Sequence, residues 1–102
     1  MYKSNYFNLG QIVMTKTIAN DISENKLFAE DINTAMEKFI HKDWGDLGNE
    51  DIQANDESLE NPDDIFVLAA YNTCKGRVWI ITNRATEKAG DNVTTILYPD
   101  EY

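Results

Sequence analysis

Apolar and polar positions alternate in two rhythms along this chain, and the change between them divides it into elements. "LGQIVMT" (Leu9 to Thr15) follows glycine with β-branched and apolar residues and predicts a first strand. Tyr2, Tyr6 and Phe7 precede it and extend the strand or pack across its end. The rhythm then lengthens. Leu27, Phe28, Ile32, Ala35, Met36, Phe39 and Ile40 recur at three- and four-residue steps, the stripe of a helix buried on one side. Glu30, Asp31, Glu37 and Lys38 fall off that stripe and face water. Asp21 with Glu24, or Ser23, caps its start, and Gly45 lies just past its end.

Asn49 opens a second, shorter helix with Glu50 and Asp51 in its first turn, where the helix dipole favours negative charge. Its apolar face is thin: Ile52, Leu59 and at most Ala54. Such a helix is half-docked, and Pro62 ends it.

Period-two patterning returns in the last third. "IFVLAAY" (Ile65 to Tyr71) and "RVWIIT" (Arg77 to Thr82) flank "NTCKG", a loop of β-hairpin length and chemistry. After the polar stretch Asn83 to Asn92 comes "VTTILY" (Val93 to Tyr98). The elements predict a single α+β domain of two layers. Its antiparallel sheet has about four strands, with two helices inserted after the first strand and packed on one face. Val78, Ile80 and Thr82 share one side of the middle strand and Arg77, Trp79 and Ile81 the other. Both sides are apolar. The Trp79–Ile81 side is therefore a partner or dimer face, or it lies beneath the N-terminal aromatics or the C-terminal tail.

Composition narrows the function classes. The 102 residues suit one core, and eleven aromatics (two Trp, five Tyr, four Phe) supply much of it. Nine Lys and Arg stand against eighteen Asp and Glu, a formal net charge of −9. Such a chain repels phosphate backbones, which disfavours direct nucleic-acid binding and favours basic protein surfaces. Cys74, alone in a turn-like setting, permits no internal disulfide and suits a reducing compartment. The chain has neither a signal-peptide pattern at its start nor an apolar run long enough to span a membrane, which predicts a cytoplasmic protein.

The candidate chemistry is sparse. His41 with Asp43 and Asp46 nearby is the one acid–base grouping, since a carboxylate can orient an imidazole. No nucleophile in a recognisable setting accompanies it. A single His beside acids at a helix end more often stabilises the helix C-terminus. One His and one Cys are too few strong ligands for zinc, and the spacing of a calcium loop is missing. The glycines at 10, 45, 48, 76 and 90 form no phosphate-binding loop. No cofactor is expected.

The acids carry more information. Between Asp43 and Cys74 lie nine of them (43, 46, 50, 51, 56, 57, 60, 63 and 64) without one basic residue. One reading is a solvated helix face; the other is an electrostatic surface for a basic partner. In the second, Asp46, Glu50, Asp51, Asp56, Glu57 and Glu60 are the binding residues. Spaced carboxylates can imitate the phosphates that a nucleic-acid groove expects. The turn before this helix has an architectural reading: Trp44 tucks against the sheet, and Asp46 or Asn49 caps the helix.

"DWGDL", then "ED", "N" and a strand ending "AY", then "G-x-V-W-I-I-T", "TTIL" and "P-x-E-Y" follow one another across Gly10 to Tyr102. This order resembles a family of small proteins of bacterial plasmids, conjugative elements and phages, known as plasmid-related proteins and without an assigned activity. Trp44, Gly45, Asp46, Leu47, Asp51, Asn55, Tyr71, Trp79, Ile80, Ile81, Thr82, Thr94, Thr95, Pro99, Glu101 and Tyr102 fall on its positions. The stretch Asn83 to Asn92 departs from it, being longer and lacking the relatives' acidic-then-arginine turn, and Ile40 stands before His41 where relatives carry arginine. The resemblance implies carriage by a mobile element. Mobile elements encode small acidic inhibitors of host nucleases, so carrier and charge point to a non-enzymatic protein that binds a basic surface on a protein partner, a host defence nuclease being one candidate target. A small enzyme using His41 with Asp43 or Asp46, and a scaffold dimerising through Trp79–Ile81, are the alternatives. The expected oligomeric state is a monomer or weak homodimer.

Overall fold

A computed structural model describes residues 2–102. The chain runs β1 (Gln11–Met14), α1 (Lys16–Glu24), α2 (Lys26–Ile40), α3 (Asn49–Ser58), β2 (Phe66–Thr73), β3 (Gly76–Arg84) and β4 (Asn92–Leu97), with 3-10 turns at Pro62–Asp64 and Pro99–Glu101. The α+β class stands as predicted. The sheet order is β1-β4-β3-β2.

Three expectations are corrected. First, the sheet is mixed: β1 runs parallel to β4, while the β2–β3 and β3–β4 pairs are antiparallel. The two parallel strands start together because side chains at the beginning of β4 hold the chain that leads into β1. Asn92 Nδ2 donates to the Asn8 carbonyl (2.8 Å) and Thr94 Oγ1 to the Leu9 carbonyl (2.7 Å). Thr94's one hydroxyl proton is thereby used, so Thr82 Oγ1 donates across the 2.6 Å contact between the two threonines.

Second, three helices are present, not two. The predicted long helix begins later than Asp21 or Ser23, and a separate α1 precedes it. Thr15 caps α1 by accepting from the Ile18 N–H, and Asn25 caps α2 by accepting from the Phe28 N–H. Asn25 is also the residue on which α1 ends, so one short polar side chain both stops and restarts the helix. Ile18, fully buried, and Ile22, partly buried, stand one turn apart and give α1 its apolar face. Third, the β2–β3 turn is tighter than "NTCKG" suggests. Thr73 pairs with Gly76, leaving Cys74 and Lys75 as the whole connection.

Helices α1 and α2 cover the inner face. Val67, Ala69 and Tyr71 of β2, Val78, Ile80 and Thr82 of β3, and Thr94 and Ile96 of β4 meet Ile18, Phe28, Ile32, Met36 and Phe39 there. The predicted division of β3 holds: Val78, Ile80 and Thr82 are fully buried. Helix α3 lies apart from this layer, along the free edge of β2.

On the outer face, the Trp79 ring meets Tyr102 edge-on at 5.7 Å, so the C-terminal tail does fold over this side. Glu101 anchors that tail, accepting from the Tyr98 N–H (2.8 Å) and from Thr15 Oγ1 (2.9 Å), the hydroxyl that caps α1. The backbone hydrogen bond from Tyr98, aided by the threonine hydroxyls, holds the Glu101 carboxyl below its ordinary value. A depressed carboxyl contributes stability above the unfolded-state value of about 4.3 and loses it as pH falls through the lower folded value. Acidification below the ordinary carboxylate range is therefore expected to free Tyr102 from Trp79. A change in Trp79 emission that Glu101→Gln makes pH-independent would show it; the same acid transition persisting in that variant would refute it.

Candidate interaction site

The segment from Asp43 to Asp64 forms a corner, helix α3 and a 3-10 turn, all fastened to the edge of β2. At the corner Trp44 is 3% exposed, packed edge-on to Phe39 (5.5 Å) and tilted against Phe7 (5.9 Å). Its main chain extends the sheet. The Trp44 carbonyl accepts from the Ala70 N–H (3.1 Å), and the Asp46 N–H donates to the Ala70 carbonyl (2.8 Å). Gly45 sits between them at φ +79° in a parallel bridge to Ala70. The buried Tyr71 hydroxyl donates to the Asp43 carbonyl (2.6 Å), and burial, followed by the Asp43 charge, pushes its pKa far up.

An edge strand exposes a row of unpaired backbone groups that invites association. Here side chains of α3 complete the row that Trp44 and Asp46 begin. Asn55, 5% exposed, is paired twice to Leu68: its Nδ2 donates to the carbonyl (2.9 Å) and its Oδ1 accepts from the N–H (3.1 Å). Ser58 Oγ accepts from the Phe66 N–H (2.8 Å). Trp44 Nε1 donates to Asp56 Oδ1 (3.1 Å), tying helix to corner. With Ile52 and Leu59 only partly buried, these polar contacts explain why so thinly apolar a helix docks at all. Asn55 was visible in the sequence as one of the positions of the family resemblance and as an asparagine mid-helix, a position where its side chain competes with the helix unless it bonds elsewhere.

The nine acids are all exposed, but they are not equivalent. Asp46 is held by Arg77: Nη1 to its carboxylate at 2.9 Å and Nη2 to its carbonyl at 2.6 Å. It is thus neutralised by a residue from β3, contrary to the reading of an unbalanced run. Asp56 is engaged by Trp44, and Glu57 accepts from Gln53 Nε2 (2.9 Å). Glu50, Asp51 and Glu60, with Asp63 and Asp64, form no salt bridge among the described residues. Glu50 and Glu57 lie two turns apart on one outward face of α3. Asp51 instead borders a cavity toward the sheet's outer face. The helix is preceded by Gly48 with no side-chain cap, so neither Asp46 nor Asn49 has the predicted capping role. Glu50 and Asp51 complement the dipole in its place.

His41 caps α2 and contacts its own helix's Glu37 carbonyl through Nδ1 at 2.7 Å. Asp43 and Asp46 line a cavity of about 460 Å³ with Lys38, Asp31 and Tyr71, which His41 does not line. The predicted acid–base grouping therefore does not converge. Cys74 is exposed in the hairpin turn; desolvation and the Asp31 carboxylate, which also accepts from its N–H, push the thiol up. Among the described residues no three His, Cys, Asp or Glu side chains gather as a metal site, and no helix is long and apolar enough to cross a membrane. Comparison with family models, curated proteins and solved structures returns no match.

Proposed function

We propose that this is a non-enzymatic interaction protein that occupies a basic surface on a protein partner through α3 and the segments flanking it. One observation carries the reading: of nine consecutive acids with no intervening base, all reach solvent and one alone is salt-bridged within the described residues. Carboxylates held outward on a fastened helix attract a basic surface at long range and fix its register on contact. The resemblance to plasmid-related proteins supports carriage by a mobile element. A groove that ordinarily receives nucleic acid, as in a host defence nuclease, is the partner class with the matching charge.

Neutralising Glu50, Asp51, Asp56 and Glu57 together (E50Q, D51N, D56N, E57Q) tests this, since the amide at 56 still accepts from Trp44. Exposed charge contacts are worth about 0.2–1 kcal/mol each. Four of them amount to a loss of roughly fivefold to several-hundredfold in affinity. The partner is first captured from the native host, and binding is then measured by calorimetry at two salt concentrations. Wild-type binding should weaken steeply with salt, and the variant should keep its circular dichroism. Salt-insensitive binding, or full affinity in the variant, defeats the reading.

A further inference from the structure

The outer face of the sheet bears an apolar groove beside α3. A cavity of about 400 Å³ is walled by Leu47, Asp51 and Ala54 on one side and Phe66, Leu68 and Trp79 on the other. Phe66 is 46% exposed and is shared with a second depression of about 300 Å³, floored by the buried Ile81 and Leu97 and bordered by the exposed Tyr102. Exposed aromatic surface of this kind, contiguous and flanked by polar groups, is what interface anchors use. The rim decides the occupant. Asp51 stands in the wall, Glu50 and Glu57 project from the same helix, and Glu101 closes the far depression. The one cation in the wall, Arg77, is taken by Asp46. An apolar slot with a negative rim complements an apolar segment flanked by positive charge.

We infer that this groove seats large apolar side chains of a lysine- or arginine-flanked segment of the protein partner, so that the acids steer and the groove anchors. The inference rests on the interaction reading above and deepens it. Carboxylates alone would bind any polycation of equal charge alike; the groove supplies discrimination, because an apolar anchor gains only where a matching pocket is desolvated.

Two labelled probes separate the contributions: an amphipathic leucine–lysine peptide helix and an oligolysine of equal charge, each titrated by fluorescence anisotropy at low salt. The leucine–lysine helix should bind at least about tenfold tighter, with a shift in Trp79 emission. Phe66→Ser should abolish that advantage, and Ala54→Gln, at an exposed helical position that narrows the slot without changing charge, should do the same. Both should leave oligolysine binding unchanged. Equal affinity for the two probes, or a leucine–lysine advantage that survives both variants, overturns the groove and leaves the acidic surface standing. Failure of both probes to bind removes the acidic surface, and this inference with it. Self-association of the protein that Phe66→Ser abolishes would assign the groove to a second copy and likewise overturn the proposal.

Discussion

Gly45→Ala is expected to be a severely damaging substitution in this protein, costing about 4 kcal/mol or more. Two causes add. At φ +79° the backbone is in the left-handed region, where a Cβ costs about 1–2 kcal/mol. The larger cause is contact. A Cβ at Gly45 would stand 2.0 Å from the Ala70 carbonyl oxygen and 2.7 Å from Tyr71 Cδ1. The Ala70 oxygen is main chain in a sheet and accepts from the Asp46 N–H, so it cannot move without breaking the bridge on both sides of residue 45. Separation would withdraw Trp44 from Phe39 and Phe7 and start α3 from an unfastened corner. Denaturant unfolding followed by Trp fluorescence measures the loss. Gly48→Ala, where a Cβ would meet nothing within 4 Å, is the control. Wild-type stability in Gly45→Ala would show that the corner is not built as described.

The second large effect is expected at Asn55. Asn55→Leu keeps the volume but removes both partners of Leu68, leaving a main-chain donor and acceptor without their bonds. Each such loss costs about 1–3 kcal/mol. With few apolar contacts to hold it, α3 should loosen, seen as faster amide exchange at Leu68 and at Phe66, whose N–H depends on Ser58. The exposed β2 edge should then promote concentration-dependent association, measured by light scattering. Asn55→Asp sharpens the test. It keeps an acceptor for the Leu68 N–H but aims a buried charge at the Leu68 carbonyl. Burial raises that carboxyl's folded pKa, and only its protonated form can donate, so stability should be lowest at neutral pH and recover as pH falls. A variant as stable as wild type, or one that does not recover in mild acid, would mean that Asn55 does not hold the edge.

Most elements were legible in the sequence because each is marked by a local signal. The stripe from Leu27 to Ile40 marked α2, although Leu27 itself is 65% exposed, the acid-led start at Asn49 marked α3, and the alternation in "RVWIIT" grouped Val78, Ile80 and Thr82 on one side of β3, the side the structure buries. Helix α1 went unread although Ile18 and Ile22 stand one turn apart and Thr15 was in place to cap it; at nine residues it is short, and its two apolar positions merge with the following stripe unless Asn25 is read as the break. The acidic run was equally plain. Its exposure followed from the lack of apolar residues around it.

What the amino-acid order determined by itself was therefore the kinds of element, their sequence along the chain, the division of β3 into two sides and the negative segment. These rest on contacts between residues one to four positions apart, and periodicity records them directly. Tertiary structure alone decided that β1 runs parallel to β4, that Asn55 closes the edge of β2, that Arg77 removes Asp46 from the free acids, and that an apolar groove opens beside α3. Each of these joins residues separated by at least twelve positions. A side chain's local pattern shows which way it faces, but its partner is chosen only when distant segments meet.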